Sequence, residues 1–187
     1  MHSIVRTTLA TVSLCTGLWG CVDTPHDDLS GSSAITFPAP GFHLSPGSGL
    51  KWRSGLVYLF DDPRDRPDQF RPFLQQEIQS YLESRGHVFT TDVEAADYGL
   101  VAVAVMGTDM TAAKVLQEFR LTPSFPASRR YPNGTIVIAL YSTGDEKVQW
   151  RGAIQGNIDL DEPEEMRRQR VRKQAEELLK MIPETKE

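Results

Sequence analysis

At 187 residues, with a formal net charge of −5, the chain is too acidic for a global nucleic-acid-binding role. Its only cysteines are Cys15 and Cys21, which excludes a framework of several disulfides. The length allows one domain with a sizeable core.

The N-terminal segment sets the compartment expectation. Ile4 to Leu18 is apolar and rich in small residues, Arg6 lies just inside it, and no acidic residue precedes Asp23. This is the layout of a secretory signal, and it falls short of the about 20 apolar residues that a membrane-spanning helix needs. The run Leu18-Trp19-Gly20-Cys21 has the form of a bacterial lipobox, in which cleavage before the cysteine is followed by lipid attachment to its sulfur. An ordinary cleaved signal is the alternative. The lipobox reading makes residues 1–20 a lipoprotein signal and Cys21 the lipid attachment site. The membrane then becomes a partner through that lipid. Val22, where aspartate would favour inner-membrane retention, points to the periplasmic face of the outer membrane. Such a mature chain holds no free thiol, so packing alone must stabilise it.

Residues 21–48 shift to Pro, Gly, Ser and Asp and read as a flexible, lipid-anchored tether in which His26 and His43 are solvated. A single domain is expected over 49–187. Gly55 to Phe60 is β-branched and aromatic, a strand stopped by Asp61-Asp62-Pro63. Phe70, Phe73, Leu74, Ile78, Tyr81 and Leu82 then fall on one helical face. Gly86 suits the helix C-terminus, and Asp68 or Arg71 the start. His87 to Thr90 reads as a short strand and Asp92 to Asp97 as a polar turn. Tyr98 to Met106 reads as a central strand buried on both faces. Lys114 to Leu121 is assigned to a strand, and Thr122 to Asn133, with three prolines, to a loop.

Gly134 to Ser142 and Lys147 to Asn157 flank the polar turn Thr143-Gly144-Asp145-Glu146, the pattern of a β-hairpin. Asp161 to Ile182 is a helix beginning at Asp161 or Glu162, with Val171, Ala175, Leu178, Leu179 and Ile182 as its apolar stripe. Strands grouped between two helices imply an α+β fold: a single mixed or antiparallel sheet with both helices packed on one face.

Several of these pieces occur together elsewhere. Leu82-Glu83-Ser84-Arg85-Gly86, Ala95-Ala96-Asp97 before an apolar strand, and Gly134-Thr135-Ile136-Val137-Ile138 follow one another. Gly144-Asp145-Glu146, Trp150-Arg151-Gly152 and a last helix ending in Ile182-Pro183 complete the order. In this the chain resembles the bacterial lipoprotein family called domain of unknown function four-one-three-six. It departs from that pattern at Tyr58-Leu59-Phe60, where a Tyr-x-Trp ending is usual, and over 108–133. The resemblance implies a fold and a location. It implies no chemistry, because the family has no assigned activity.

Catalytic chemistry needs positioned groups, and the expected domain holds one histidine, His87. A triad would have to use it; a strand residue is the plainer reading. No metal site and no cofactor are expected. Asp61, Asp62 and Asp65 lack the spacing of a calcium loop and read as a solvated turn. Asp97 is expected to bond backbone amides in its own turn. Gly152 and Gly156 are expected to mark a bulge or a close backbone approach. Arg167 to Lys173 reads as a solvated helix face.

Two places suit contact with a partner. Alternation puts Trp150 and Arg151 on opposite sides of their strand; Trp150 reads first as a structural core residue, which would leave Arg151 facing out to hold a carboxylate or phosphate group. The loop with Phe125, Arg129, Arg130 and Tyr131 combines aromatic and basic groups. The primary expectation is therefore a lipid-anchored cell-envelope protein, not an enzyme, whose domain binds or scaffolds an envelope protein partner. A small-ligand or glycan-binding periplasmic module is the alternative, and an envelope hydrolase using His87 the third reading.

Overall fold

The computed structural model describes residues 32–60, 67–107, 114–115, 117–120, 133–159 and 161–185. Cys21, the leader, the acidic cluster of Asp61, Asp62 and Asp65, and the loop from Phe125 to Tyr131 lie outside them. The elements in chain order are β1 (Ser32–Pro38), β2 (Gly49–Trp52), β3 (Val57–Phe60), α1 (Pro67–Ser84), β4 (Val88–Phe89), β5 (Tyr98–Gly107), β6 (Asn133–Ser142), β7 (Val148–Asn157) and α2 (Glu164–Leu179).

Among the described residues the strands form one open, seven-stranded mixed sheet in the order β1-β7-β6-β5-β2-β4, with β3 also paired to β5. β5 to β6, β6 to β7 and β1 to β7 run antiparallel; β2 and β3 lie along successive parts of β5 and parallel to it. Both helices cover one face, as the grouping of strands between helices implied, and the fold is α+β.

Strand alternation sorts the side chains. Leu100, Ala102 and Ala104 of β5, Ile136, Ile138 and Leu140 of β6, and Trp150 and Ile154 of β7 point to the helices. There they meet Phe70, Leu74, Ile78 and Leu82 of α1 and Val171, Ala175, Leu178 and Leu179 of α2. Each large apolar side chain removed from water in this layer contributes about 1.5–3 kcal/mol before the cost of ordering it. Arg172 of α2 also grips Glu77 of α1 with two hydrogen bonds, at 2.7 and 3.1 Å, clasping the helices together outside the core.

Helix ends depart from their expected positions. α1 begins at Pro67, ahead of both expected caps, so Asp68 sits in its first turn. Pro72 lies inside the helix on an exposed side. At the other end Gly86, with φ +88°, gives its amide to the Glu83 carbonyl, and His87 gives its own to Leu82. This left-handed closure is the role glycine suits best. α2 begins later than expected: Pro163 is the cap residue, and Asp159 accepts the Asp161 amide to form the turn before it. Its basic run is less free than expected, since Arg168 and Arg170 pair with Glu164 and Glu162.

Two expectations are corrected, and β1 and β2 were not expected. The tether over 21–48 does not extend past Ser32. There β1 pairs with β7 along its whole length, and Phe42 and Leu44 are buried in the main core while His43 between them is exposed. Sparse apolar residues among Pro and Gly sufficed, because an edge strand needs only one protected side. Lys114, Val115, Gln117 and Glu118 are helical rather than extended. Val115 and Phe119, four residues apart, pack together onto the second face of the sheet, against Val103, Val105, Val137 and Ala153.

Candidate functional site

The second face of the sheet carries the polar chemistry. Its rows can be read from the strand registers. Ser33, Gln155, Thr135 and Val105 form one row; Ile35, Ala153, Val137 and Val103 the next; Phe37, Arg151, Ala139 and Val101 a third. Tyr141 and Gly99 follow, with Lys51 of β2 beside Gly99. The first two rows are apolar or internally bonded, with Gln155 Nε2 donating to Thr135 Oγ1 at 3.1 Å, and Val115 and Phe119 pack on this part. Toward Tyr141 the face turns cationic.

Arg53 follows β2 and lies flat on this face. Its guanidinium sits 5.0 Å from the centre of the Tyr141 ring. Gly99 makes this possible: a Cβ there would fall 2.6 Å from Arg53 Cγ. Arg53 reaches Glu146 at 3.4 Å, but the Glu146 side chain is 74% exposed, and such a pair is worth about 0–1 kcal/mol. Lys51, Arg53, Gly99, Tyr141, Thr143 and Glu146 line a cavity of ≈ 240 Å³ on this face. Lys51 has no ion-pair partner among the described residues.

The turn that borders the cavity is shaped by an unusual backbone. Glu146, not Gly144, takes the left-handed conformation, with φ 56°. Its amide bonds the Ser142 carbonyl at 3.0 Å, and Ser142 bonds back to the Lys147 carbonyl at 2.9 Å. Asp145 is already occupied by Lys147, whose bond to it holds the Asp145 carboxyl below its usual range. Thr143 donates its hydroxyl to the Ala96 carbonyl at 2.6 Å.

Trp150 and Arg151 do face opposite ways. Trp150 is completely buried against the helices, so it cannot line a surface, and its Nε1 lacks an acceptor among the described residues. Trp150 thus takes the structural core place read for it first, and it is removed from the possible contact surface: a strand covered by two helices buries every second residue of its central stretch. Arg151 is half-buried on the second face, with its guanidinium 5.3 Å from the Phe37 ring of β1. Gly152, next in the strand, marks a close approach: a Cβ there would sit 2.9 Å from atoms of Leu178, Thr36 and Trp150. The bulge in this hairpin falls at Leu140 and Tyr141 instead.

His87 is buried beneath the C-terminal segment. Burial lowers its pKa, and the nearby Glu184 opposes that shift. Glu184 Oε1 is 3.8 Å from its Nε2, too far for a hydrogen bond, and Glu184 is engaged by Arg85. No hydrogen bond joins either ring nitrogen to a serine or an acid among the described residues. Among the described residues, no group of three or more His, Cys, Asp or Glu side chains is placed to hold a metal ion. No helix among them is long and apolar enough to cross a membrane.

Lys51, Arg53 and Tyr141 were not singled out from the sequence. Lys51 and Arg53 meet Tyr141 only because β2 pairs in parallel with β5, and a four-residue strand carries too little pattern to reveal that.

No family model matches the sequence. No curated protein matches it either. Solved structures do share its architecture. A single-residue variant of the PelC dodecamer from Paraburkholderia phytofirmans superposes with a TM-score of 0.52 at 8% identity, covering 83% of this chain and 99% of that one. A PelC dodecamer from the same organism in another crystal form gives 0.51 at 9% identity, covering 79% and 96%. A DUF4136 family protein from Bacteroides thetaiotaomicron gives 0.51 at 12% identity, covering 80% of this chain and 95% of that one. At such identities the likeness is one of fold, and the chain has the fold of PelC and of a DUF4136 family protein.

Proposed function

We propose that this chain is a lipid-anchored cell-envelope protein whose domain binds or scaffolds another envelope component and catalyses no reaction. The anchor would be lipid on Cys21, placing the domain at the periplasmic face of the outer membrane. One observation carries the binding reading. Both helices close one face of the sheet, while the cationic part of the other face opens into a cavity edged by Lys51, Arg53 and Tyr141. Among the described residues nothing covers that cationic part, and an uncovered concavity on a rigid sheet is suited to recognition.

Covalent cross-linking in intact cells, comparing the native chain with Cys21→Ser, tests this reading alongside membrane fractionation. Capture of one discrete protein by the native form alone supports it. Identical fractionation of the two forms removes the anchor from the reading, and no captured protein removes the scaffold.

Self-assembly is a second reading, favoured by one observation. PelC, which shares the fold, is a dodecamer. In this chain Val57 and Leu59 of β3 are 41% and 36% exposed, apolar surface that a second copy would cover. Cross-links between copies of the chain would support it.

A further inference from the structure

We propose that the cavity on the second face is an anion-binding site, in which Lys51 and Arg53 receive the carboxylate or phosphate group of a monosaccharide-sized ligand. This deepens the binding reading and is independent of the lipid anchor, so either idea can fail alone.

Charge is the first argument. The chain carries a net charge of −5, and several basic groups of the helices and of the β6–β7 turn are matched: Arg85 by Glu184, Arg168 by Glu164, Arg170 by Glu162, Arg172 by Glu77 and Lys147 by Asp145. Arg151, on the same face as the cavity, stacks on Phe37 and has no carboxylate partner among the described residues, which adds to the positive charge there. Lys51 is unmatched among the described residues, and Arg53 has only the exposed Glu146. Lys51 and Arg53 line one concavity of an acidic protein whose own carboxylate, Glu146, is exposed and only weakly held, so a bound anion would lower their mutual repulsion.

Construction is the second argument. Arg53 is seated in advance, its stem on Gly99 and its guanidinium over Tyr141. A guanidinium held this way loses little freedom when it accepts a planar or tetrahedral oxyanion in a forked geometry. The nearby acids are engaged elsewhere: Asp145 with Lys147, Asp92 with the Glu94 amide at 3.0 Å, and Asp97 with the Gly49 amide at 2.7 Å.

Size is the third. At ≈ 240 Å³ the cavity is smaller than the roughly 300–1,000 Å³ of sites for drug-sized ligands, and suits one sugar ring. Exposed Val93 gives the ring an apolar edge, and the Tyr141 side chain a polar one.

Glu146 becomes the internal competitor. Its carboxylate occupies Arg53 in the empty site, and an incoming anion displaces it.

The test uses the full chain in detergent, titrated by calorimetry with D-glucuronate, glucose 6-phosphate, inorganic phosphate and neutral glucose. The two sugar anions are expected to saturate with dissociation constants near about 0.1–1 mM. Inorganic phosphate should bind more weakly, glucose not at all, and added salt should weaken the binding. Lys51→Met and Arg53→Gln should each weaken it about tenfold, the loss of one charge-assisted contact. Glu146→Gln should strengthen it several-fold, a gain that misfolding cannot mimic. Equal binding of glucose, unchanged affinity in all three variants, or no saturation by either sugar anion would overturn the site. Equally tight inorganic phosphate would overturn the sugar assignment.

Discussion

The carboxylate of Asp97 accepts the amide hydrogen of Gly49 at 2.7 Å, and the Asp97 amide returns a bond to the Gly49 carbonyl at 2.8 Å. The pair ties the start of β2 to the start of β5. The Asp97 carbonyl also takes the Thr143 amide at 3.1 Å, which brings the β6–β7 turn to the same point. Asp97 was expected to bond amides within its own turn. It does bond an amide, but one from a distant strand, and that bond sets where Lys51 and Arg53 emerge.

Removing this clasp should be costly. Asp97→Ala leaves the Gly49 amide without its partner, at about 1–3 kcal/mol. Gly49→Ala should cost at least as much, because a Cβ would meet the Ala95 carbonyl oxygen at 2.3 Å, and backbone cannot swing aside. Urea unfolding of the two variants measures both, and a loss below about 0.5 kcal/mol in either would show that the strands hold register without the clasp.

Trp150 separates volume from hydrogen bonding. Trp150→Ala should cost about 3–5 kcal/mol, as an emptied aromatic site in a packed core does. Trp150→Phe should cost only about 1–2 kcal/mol, because it also removes a buried N–H that has no acceptor among the described residues. Equal losses would mean that the indole N–H is bonded in solution.

The pH response of stability should carry the signature of His87. Burial holds its folded-state pKa below the ordinary value of 6.5. As pH falls through 6.5, the unfolded chain gains a proton that the folded chain refuses, so stability declines. The decline ends once pH passes the depressed folded value, where both states are protonated. Unfolding midpoints between about pH 5 and 8 should follow this slope, and His87→Leu should flatten it. An unchanged slope in that variant would assign the titration to another group.

Glu146 occupies a backbone region that costs a non-glycine residue about 1 kcal/mol. Glu146→Gly should therefore raise stability by about 0.5–1 kcal/mol in thermal unfolding. It also frees Arg53 from its exposed partner. A destabilised variant would mean that the Arg53–Glu146 contact outweighs the strain.

The long, periodic elements were legible in the sequence. β5 and the β6–β7 hairpin announced themselves through continuous or alternating apolar runs, and both helices through their stripes. The short elements were not. β1 reads SSAITFP and β2 reads GLKW, each too brief and too polar to show a period. Their assignment comes from long-range pairing, with β7 and with β5, which local pattern does not encode. Val115 and Phe119 were misread for a similar reason: two apolar residues four apart satisfy a helical turn, yet a single turn is too short to outweigh a strand-like composition. Of the candidate site, the outward direction of Arg151 followed from alternation alone, whereas the meeting of Lys51, Arg53 and Tyr141 required the sheet order.

The C-terminal segment gives its Pro183 carbonyl to the Leu44 amide at 2.7 Å, and Thr185 donates to the Leu44 carbonyl at 3.4 Å. Among the described residues β1 likewise pairs only with β7. A chain released from its N-terminus thus delivers β1 and Leu44 long before the residues that hold them exist. Nearly the whole domain must emerge before these early segments can lock, and closing so large a loop is slow. Docking of β1 and of the Leu44 segment is therefore postponed until the C-terminal residues that hold them are made.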